Sequence, residues 1–133
     1  MLEVGIGRRP GVAAALAAEG VRVTAVDVHE CSVPEGVAFV RDDVAERAEQ
    51  VAAGSAAGAT AQAVDERTER LPSHYQVEAI YALNLPPELH RPTATVAAAV
   101  GAAFLFTTLG GDPAAIPART ETLDRETLYV ARE

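Results

Sequence analysis

The first 27 residues constrain this chain more than any other stretch. Leu2-Glu3-Val4-Gly5-Ile6-Gly7 is a short apolar run that breaks on two glycines. An alanine-rich segment follows from Val12 to Ala18, and then Val21-Arg-Val-Thr-Ala-Val-Asp27, a second apolar run closing on a carboxylate. The two runs read as buried strands, and the segment between them as a helix. Gly5 and Gly7 let the backbone turn tightly and let a ligand approach the main chain. Asp27 lies 20 positions after Gly7, the separation at which a carboxylate on the second strand can reach a ligand seated on the glycine turn.

A strand, a glycine turn, a helix and a second strand ending on an acid form the nucleotide-binding half of a Rossmann-type unit. The rest of the chain extends the pattern. Strands are expected at 2–6, 21–26, 37–40, 77–83 and 102–108, and helices at 11–19, 43–53 and 88–100. Such alternation calls for α/β architecture: a Rossmann-like parallel sheet flanked by helices. The final segments, 118–123 and 126–131, alternate about a turn at Asp124-Arg125, which predicts an antiparallel hairpin at one sheet edge. The chain opens directly on its first strand; either the fold lacks a preceding helix or the true start lies upstream.

One domain, 1–133, accounts for the length. Segment 52–70 contains Ala-Gly-Ser-Ala-Ala-Gly-Ala-Thr-Ala-Gln-Ala and then mixed charges, so it reads as a flexible surface insertion without large apolar anchors. The net charge of −8 does not support a nucleic-acid footprint, which needs a basic face. All 11 basic residues are Arg and 28 residues are Ala, and the sequence pI is about 4.8. That balance fits a cytoplasmic protein of a high-salt, GC-rich organism, with acidity serving solvation. Cys31 stands alone, so no internal disulfide can form. The uncharged stretch from Pro92 to Gly111 is mostly Ala and Thr with Gly101 in its middle. It reads as a helix, a glycine stop and a buried strand, not as a membrane span.

The glycine turn separates two ligand classes. A dinucleotide site wants a third glycine where Pro10 stands, so that fingerprint fails. Pro10 is harmless at a helix start, where its missing N–H has no partner to lose. Glu3, two residues before Gly5, would repel a pyrophosphate and favour the ammonium and sulfonium of S-adenosylmethionine. Glu3, Gly5, Gly7, Asp27 and Asp42 are therefore the candidate cofactor-binding residues. Asp27 is placed to accept ribose hydroxyls. Asp42, after the third strand, is placed with Asp43 where either supplies a helix N-cap. Arg8 and Arg9 add positive charge at the helix start, either for an anionic group of a ligand or as plain surface residues.

Glu3-x-Gly5-x-Gly7 resembles the first motif of class I S-adenosylmethionine-dependent methyltransferases, with Arg9 where a further glycine is usual. Together with Ala25-Val-Asp27, Arg41-Asp-Asp43 and Ile80-Tyr-Ala-Leu-Asn-Leu-Pro-Pro-Glu-Leu89, it is similar to an uncharacterised archaeal family of short, methyltransferase-like Rossmann proteins. The resemblance runs from Leu2 to about Leu109. It implies a fold linked to S-adenosylmethionine enzymes and lends no established reaction. The resemblance to methyltransferases also implies, in place of an N-cap, a contact from Asp42 to an adenine amino group. The chain departs from that family in its 52–68 segment and at Asn84-Leu85, where Arg-Pro is expected. Asn84-Leu-Pro-Pro87 also comes near the Asn-Pro-Pro-aromatic motif of amino-group methyltransferases, but a Leu intervenes and Glu88 replaces the aromatic residue. A rigid turn into the next helix is the better account.

No metal-ligand spacing joins His29, His74 and His90, and no nucleophile–base set assembles. His90 is a candidate general base or a surface residue, and Tyr81 a core residue on the fourth strand. Two functions follow as expectations. One is a cytoplasmic domain binding S-adenosylmethionine as its small-molecule ligand, with unknown reaction. The other is a non-catalytic ligand-binding or partner-regulating module on a decayed methyltransferase fold. A dinucleotide-binding protein is a weaker third.

Overall fold

The computed structural model describes residues 1–7, 10–56, 71–110, 112–124 and 126–133. Strand β1 (Leu2–Val4) is short because Gly5 turns the chain out of extended geometry with a φ of +73°. All three of its residues are buried, as a central strand with neighbours on both sides requires. Around it lies a seven-stranded sheet of order β3-β2-β1-β4-β5-β7-β6, with β2 at Val23–Asp27, β3 at Val37–Arg41, β4 at Ala79–Ala82, β5 at Ala103–Phe106, β6 at Arg119–Leu123 and β7 at Glu126–Arg132. The first five strands pair in parallel, and β7 is antiparallel to both β5 and β6. The doubly wound order 3-2-1-4-5-6 is thus altered only at one edge, where β7 enters between β5 and β6. The expected α/β class and the C-terminal antiparallel hairpin are both present.

Alternation along the strands sorts the core. Leu2, Val4, Ile80, Ala82, Phe104 and Phe106 pack in one cluster with residues of α2 (Val44–Ala56) and α3 (Pro87–Val100). Val23, Ala25 and Val37 face the other way, beneath α1 (Gly11–Ala18) through Ala13 and Leu16. Glu3 pairs in register with Ala25 and Tyr81, so it shares this second face.

Helix ends follow local chemistry. Asp43 accepts the Ala45 N–H at 2.9 Å at the start of α2. Pro87 opens α3, and Gly101 closes it at a φ of +70° in the left-handed region. Helix α2 continues to Ala56, three residues past the expected end and into the segment read as an insertion; positions 57–70 lie outside the described residues. A 3-10 turn at Ser73–Tyr75 precedes β4, where a strand from 77 had been expected. Among the described residues no helix is long and apolar enough to cross a membrane.

Candidate functional site

Strand order reverses between the parallel neighbours β1 and β4: the chain steps from β1 out to β3 on one side, and from β4 to β5 and beyond on the other. Ligands of open α/β sheets bind outside the carboxyl ends of the strands at such a switch point. The turn leaving β1 is therefore the first place to look. Gly5 donates its N–H to the Val26 carbonyl at 2.8 Å, which extends the β1–β2 pairing by one bond. Gly7 follows with a φ of +52° and donates its N–H to Asp27 Oδ2 at 3.0 Å. The His29 N–H reaches the other oxygen, Oδ1, also at 3.0 Å. One carboxylate thus braces both the glycine turn and the loop after β2. Each of its oxygens keeps a further acceptor position, since an ionised carboxylate offers about four.

A cleft of about 570 Å³ opens beside this carboxylate, lined by Gly7, Pro10, Asp27, His29, Glu30, Cys31 and Ser32. The volume suits a small-molecule ligand. Two of its described lining residues, Asp27 and Glu30, are carboxylates, which favours a ligand with cationic groups. The Cys31 thiol donates to the His29 carbonyl at 3.3 Å. Desolvation and then the adjacent Asp27 charge push that thiol up, so it is held protonated and is a poor nucleophile. No protein atom lies within 4 Å of where a Gly5 side chain would begin, so the space over that turn is open.

Glu3 sits beneath the turn, not on the cleft wall. It is 0% exposed, its Oε2 accepts the Tyr81 hydroxyl at 3.2 Å, and its Oε1 is buried without a partner among the described residues. Desolvation pushes its pKa up to about 7, against a smaller lowering by the Tyr81 bond. The Tyr81 phenol is raised in turn, by burial and by Glu3. A buried acid with an unsatisfied oxygen at the switch point is costly to keep.

Asp42 is placed apart from the cleft lining. Arg47 Nε binds its Oδ1 at 3.0 Å, the Asp43 N–H binds the same oxygen at 2.8 Å, and His74 Nε2 lies 2.9 Å from its Oδ2. Desolvation would raise this carboxyl, but the Arg47, Asp43 and His74 bonds together hold it below the usual range. Tyr75 is fully buried beside the cluster, its phenol pushed up by burial and by the Asp42 charge. Of the candidate residues, then, Gly7 and Asp27 meet at the cleft and Gly5 shapes the turn behind it. Glu3 lies below, and Asp42 is engaged in an ion-pair cluster whose N-capping neighbour is Asp43. Arg8 and Arg9 lie outside the described residues.

Arg47 and Tyr75 carry no signal in the sequence, and His74 enters it only as a histidine without metal-ligand spacing. His74 is 32 positions from Asp42, a separation no local pattern signals. His90 proves to be neither a surface residue nor an available base. It is 0% exposed, with Nδ1 accepting the Ala115 N–H at 3.0 Å and Nε2 donating to the Leu85 carbonyl at 2.8 Å. It also packs on Phe106, with ring centroids 4.5 Å apart and ring planes tilted by 46°. The Asn84–Pro87 turn is a rigid connection: the Asn84 N–H meets Thr107 Oγ1 at 2.8 Å, and the Leu85 N–H meets the Thr107 carbonyl at 2.9 Å. Asn84 takes a φ of +51°, a left-handed conformation that Asn tolerates. Among the described residues no group of three His, Cys, Asp or Glu is arranged to hold a metal.

Comparison with known proteins adds a family. The sequence profile of the uncharacterised protein family UPF0146 matches residues 1–58 and 60–133. UPF0146 proteins from two strains of Halobacterium salinarum are each 46% identical over 134 residues, covering 100% of this chain and 87% of theirs. One from Archaeoglobus fulgidus is 35% identical over 112 residues, 84% of this chain and 69% of that protein. Among solved structures, a ribosomal RNA methyltransferase from Plasmodium falciparum aligns with a TM-score of 0.46 at 12% identity, over 98% of this chain and 84% of that one. The 1,6-didemethyltoxoflavin-N1-methyltransferase of Burkholderia thailandensis, solved with S-adenosylhomocysteine, aligns at 0.43 and 20% identity, over 98% and 52%.

Proposed function

The chain belongs to the UPF0146 family, and we propose that it binds S-adenosylmethionine or its demethylated product at the β1–β2 cleft. The observation that carries this reading is the Asp27 carboxylate, fixed on the Gly7 N–H at 3.0 Å at the mouth of an acidic cleft of about 570 Å³. Asp27 would hold the ribose hydroxyls, and Gly5 and Gly7 would admit the ligand close to the main chain. When bound, S-adenosylmethionine supplies a methyl group on a sulfonium. The acidic surroundings suit that cation better than they suit the pyrophosphate of NAD or NADP.

Isothermal titration with S-adenosylmethionine and its demethylated product, in multimolar KCl, tests the reading. Heat of binding is expected, and no heat at high micromolar ligand on folded protein would end it. In Asp27→Ala the lost bidentate, charge-assisted contact should weaken binding by roughly 10- to 150-fold, the equivalent of about 1.5–3 kcal/mol. The same change frees the Gly7 and His29 N–H groups, so stability is measured alongside affinity.

A second reading, a ligand-binding or partner-regulating module without transfer activity, is favoured by His90. This residue follows the turn after β4, and both its ring nitrogens are consumed by backbone bonds. Binding of S-adenosylmethionine with no methyl transfer to cell extract, and a stoichiometric partner on pull-down, would support that reading over an enzyme.

A further inference from the structure

A second cavity, about 430 Å³, lies across the sheet from the β1–β2 cleft, in a groove between α3 and β7. Its β7 side is four strands from β2, a lateral distance of about 19 Å. The connection from β5 to β6 spans this region as an irregular strap that buries Ile116 but forms no helix among its described residues. Parallel strands are usually joined by a helix that would cover this face. Here Ala94, Ala98, Ile116 and Ala131 instead line a shallow apolar trough.

Two arginines mark its ends. Arg91 stands on α3 beside the strap, because its neighbour His90 is bound to Ala115. Arg132 stands opposite Phe104 at the start of β5. Its orientation is a local departure from strand alternation. Val130 pairs with Leu105 and Arg132 with Phe104, so a bulge at Ala131 turns Arg132 from the face of Val130 onto the α3 face. Bulges re-aim side chains in this way, often next to functional sites. Neither guanidinium has an ion-pair partner among the described residues, and Glu133, adjacent to Arg132, is engaged by Arg119. In a chain of net charge −8, two such cations around an apolar trough make a local site where an anion is favoured.

We propose that this groove binds an elongated amphipathic organic anion with a carboxylate-like group at each end. Its apolar body lies along Ala94, Ala98 and Ile116, and its charged ends meet Arg91 and Arg132. The seven-step rise from Arg91 to Ala98 sets a span of about 10 Å along the helix. The site is independent of the nucleoside reading of the β1–β2 cleft.

Decanedioate is a suitable probe, with decanoate and decane-1,10-diol as its singly charged and uncharged counterparts. Amide chemical shifts are followed by NMR at the lowest KCl concentration that keeps the protein folded, since screening weakens exposed charges. Decanedioate should shift Ala94, Ala98 and Arg132 amides saturably at millimolar concentration, decanoate should bind more weakly, and the diol should not bind. Arg91→Gln and Arg132→Gln should each weaken decanedioate about fivefold, and Ala98→Trp should abolish binding with the fold retained by circular dichroism. No saturable shift in the groove, equal binding of diacid and diol, or unchanged affinity in both arginine variants overturns the proposal.

Discussion

Replacing Glu3 by glutamine should remove a pH-dependent penalty from the centre of the sheet. Glu3 is fully buried with one oxygen unpaired among the described residues, and desolvation raises its pKa from 4.5 to about 7. Between those values the folded protein binds more protons than the unfolded chain, so stability falls as pH rises, and the penalty is complete above about pH 7. At 1.36 kcal/mol per pH unit the shift corresponds to roughly 3 kcal/mol. Glutamine keeps an acceptor for the Tyr81 hydroxyl and does not titrate. Any cost of its amide is constant with pH and leaves the slope unaffected. Denaturant unfolding at fixed KCl, from about pH 5 to pH 8, should show the wild-type protein losing about 2.5 kcal/mol relative to Glu3→Gln. Parallel curves for the two proteins would refute the argument, because they would mean that Glu3 ionises as easily in the fold as in water. Salt should change this difference little, since a buried group is weakly screened.

Three further outcomes are expected. His90→Ala should cost about 3–5 kcal/mol in denaturant unfolding, because it opens a cavity against Phe106 and strands the Leu85 carbonyl and Ala115 N–H. Asp42 has a carboxyl pKa below its ordinary 3.8, so its stabilisation is full above that value and is lost as pH falls through the lowered one. Asp42→Asn should therefore flatten the acid limb of the stability profile below about pH 4. Gly5→Ala should destabilise by about 1–2 kcal/mol, since the φ of +73° is strained for any residue with a Cβ, although no atom stands within 4 Å to clash. Thermal unfolding against Gly11→Ala, at a glycine of ordinary φ, separates that strain from a loss of ligand.

The order of elements was legible in the sequence because each rests on local chemistry. Gly5 and Gly7 must turn, Gly101 must stop a helix, and alternation in 118–131 must make a hairpin whatever surrounds it. The meeting of Gly7 and Asp27 was legible too, because a strand, helix and strand of fixed rise leave one route by which 20 residues can return. What the sequence could not carry was the environment of each polar group. Glu3 has a ligand-facing position in the motif, yet three mutually buried strands seal it beneath the turn and raise its pKa. His90 looked like a free imidazole until a loop 25 residues away supplied a donor to its ring. Asp42 found Arg47 five positions on and His74 across 32 residues, and only the docking of the 73–75 turn beside Asp42 made that cluster. Local propensity sets where the chain turns and which face of a strand is apolar. Burial, and with it the protonation and partners of a carboxylate or an imidazole, is decided by segments distant in sequence, because it depends on what excludes water from them.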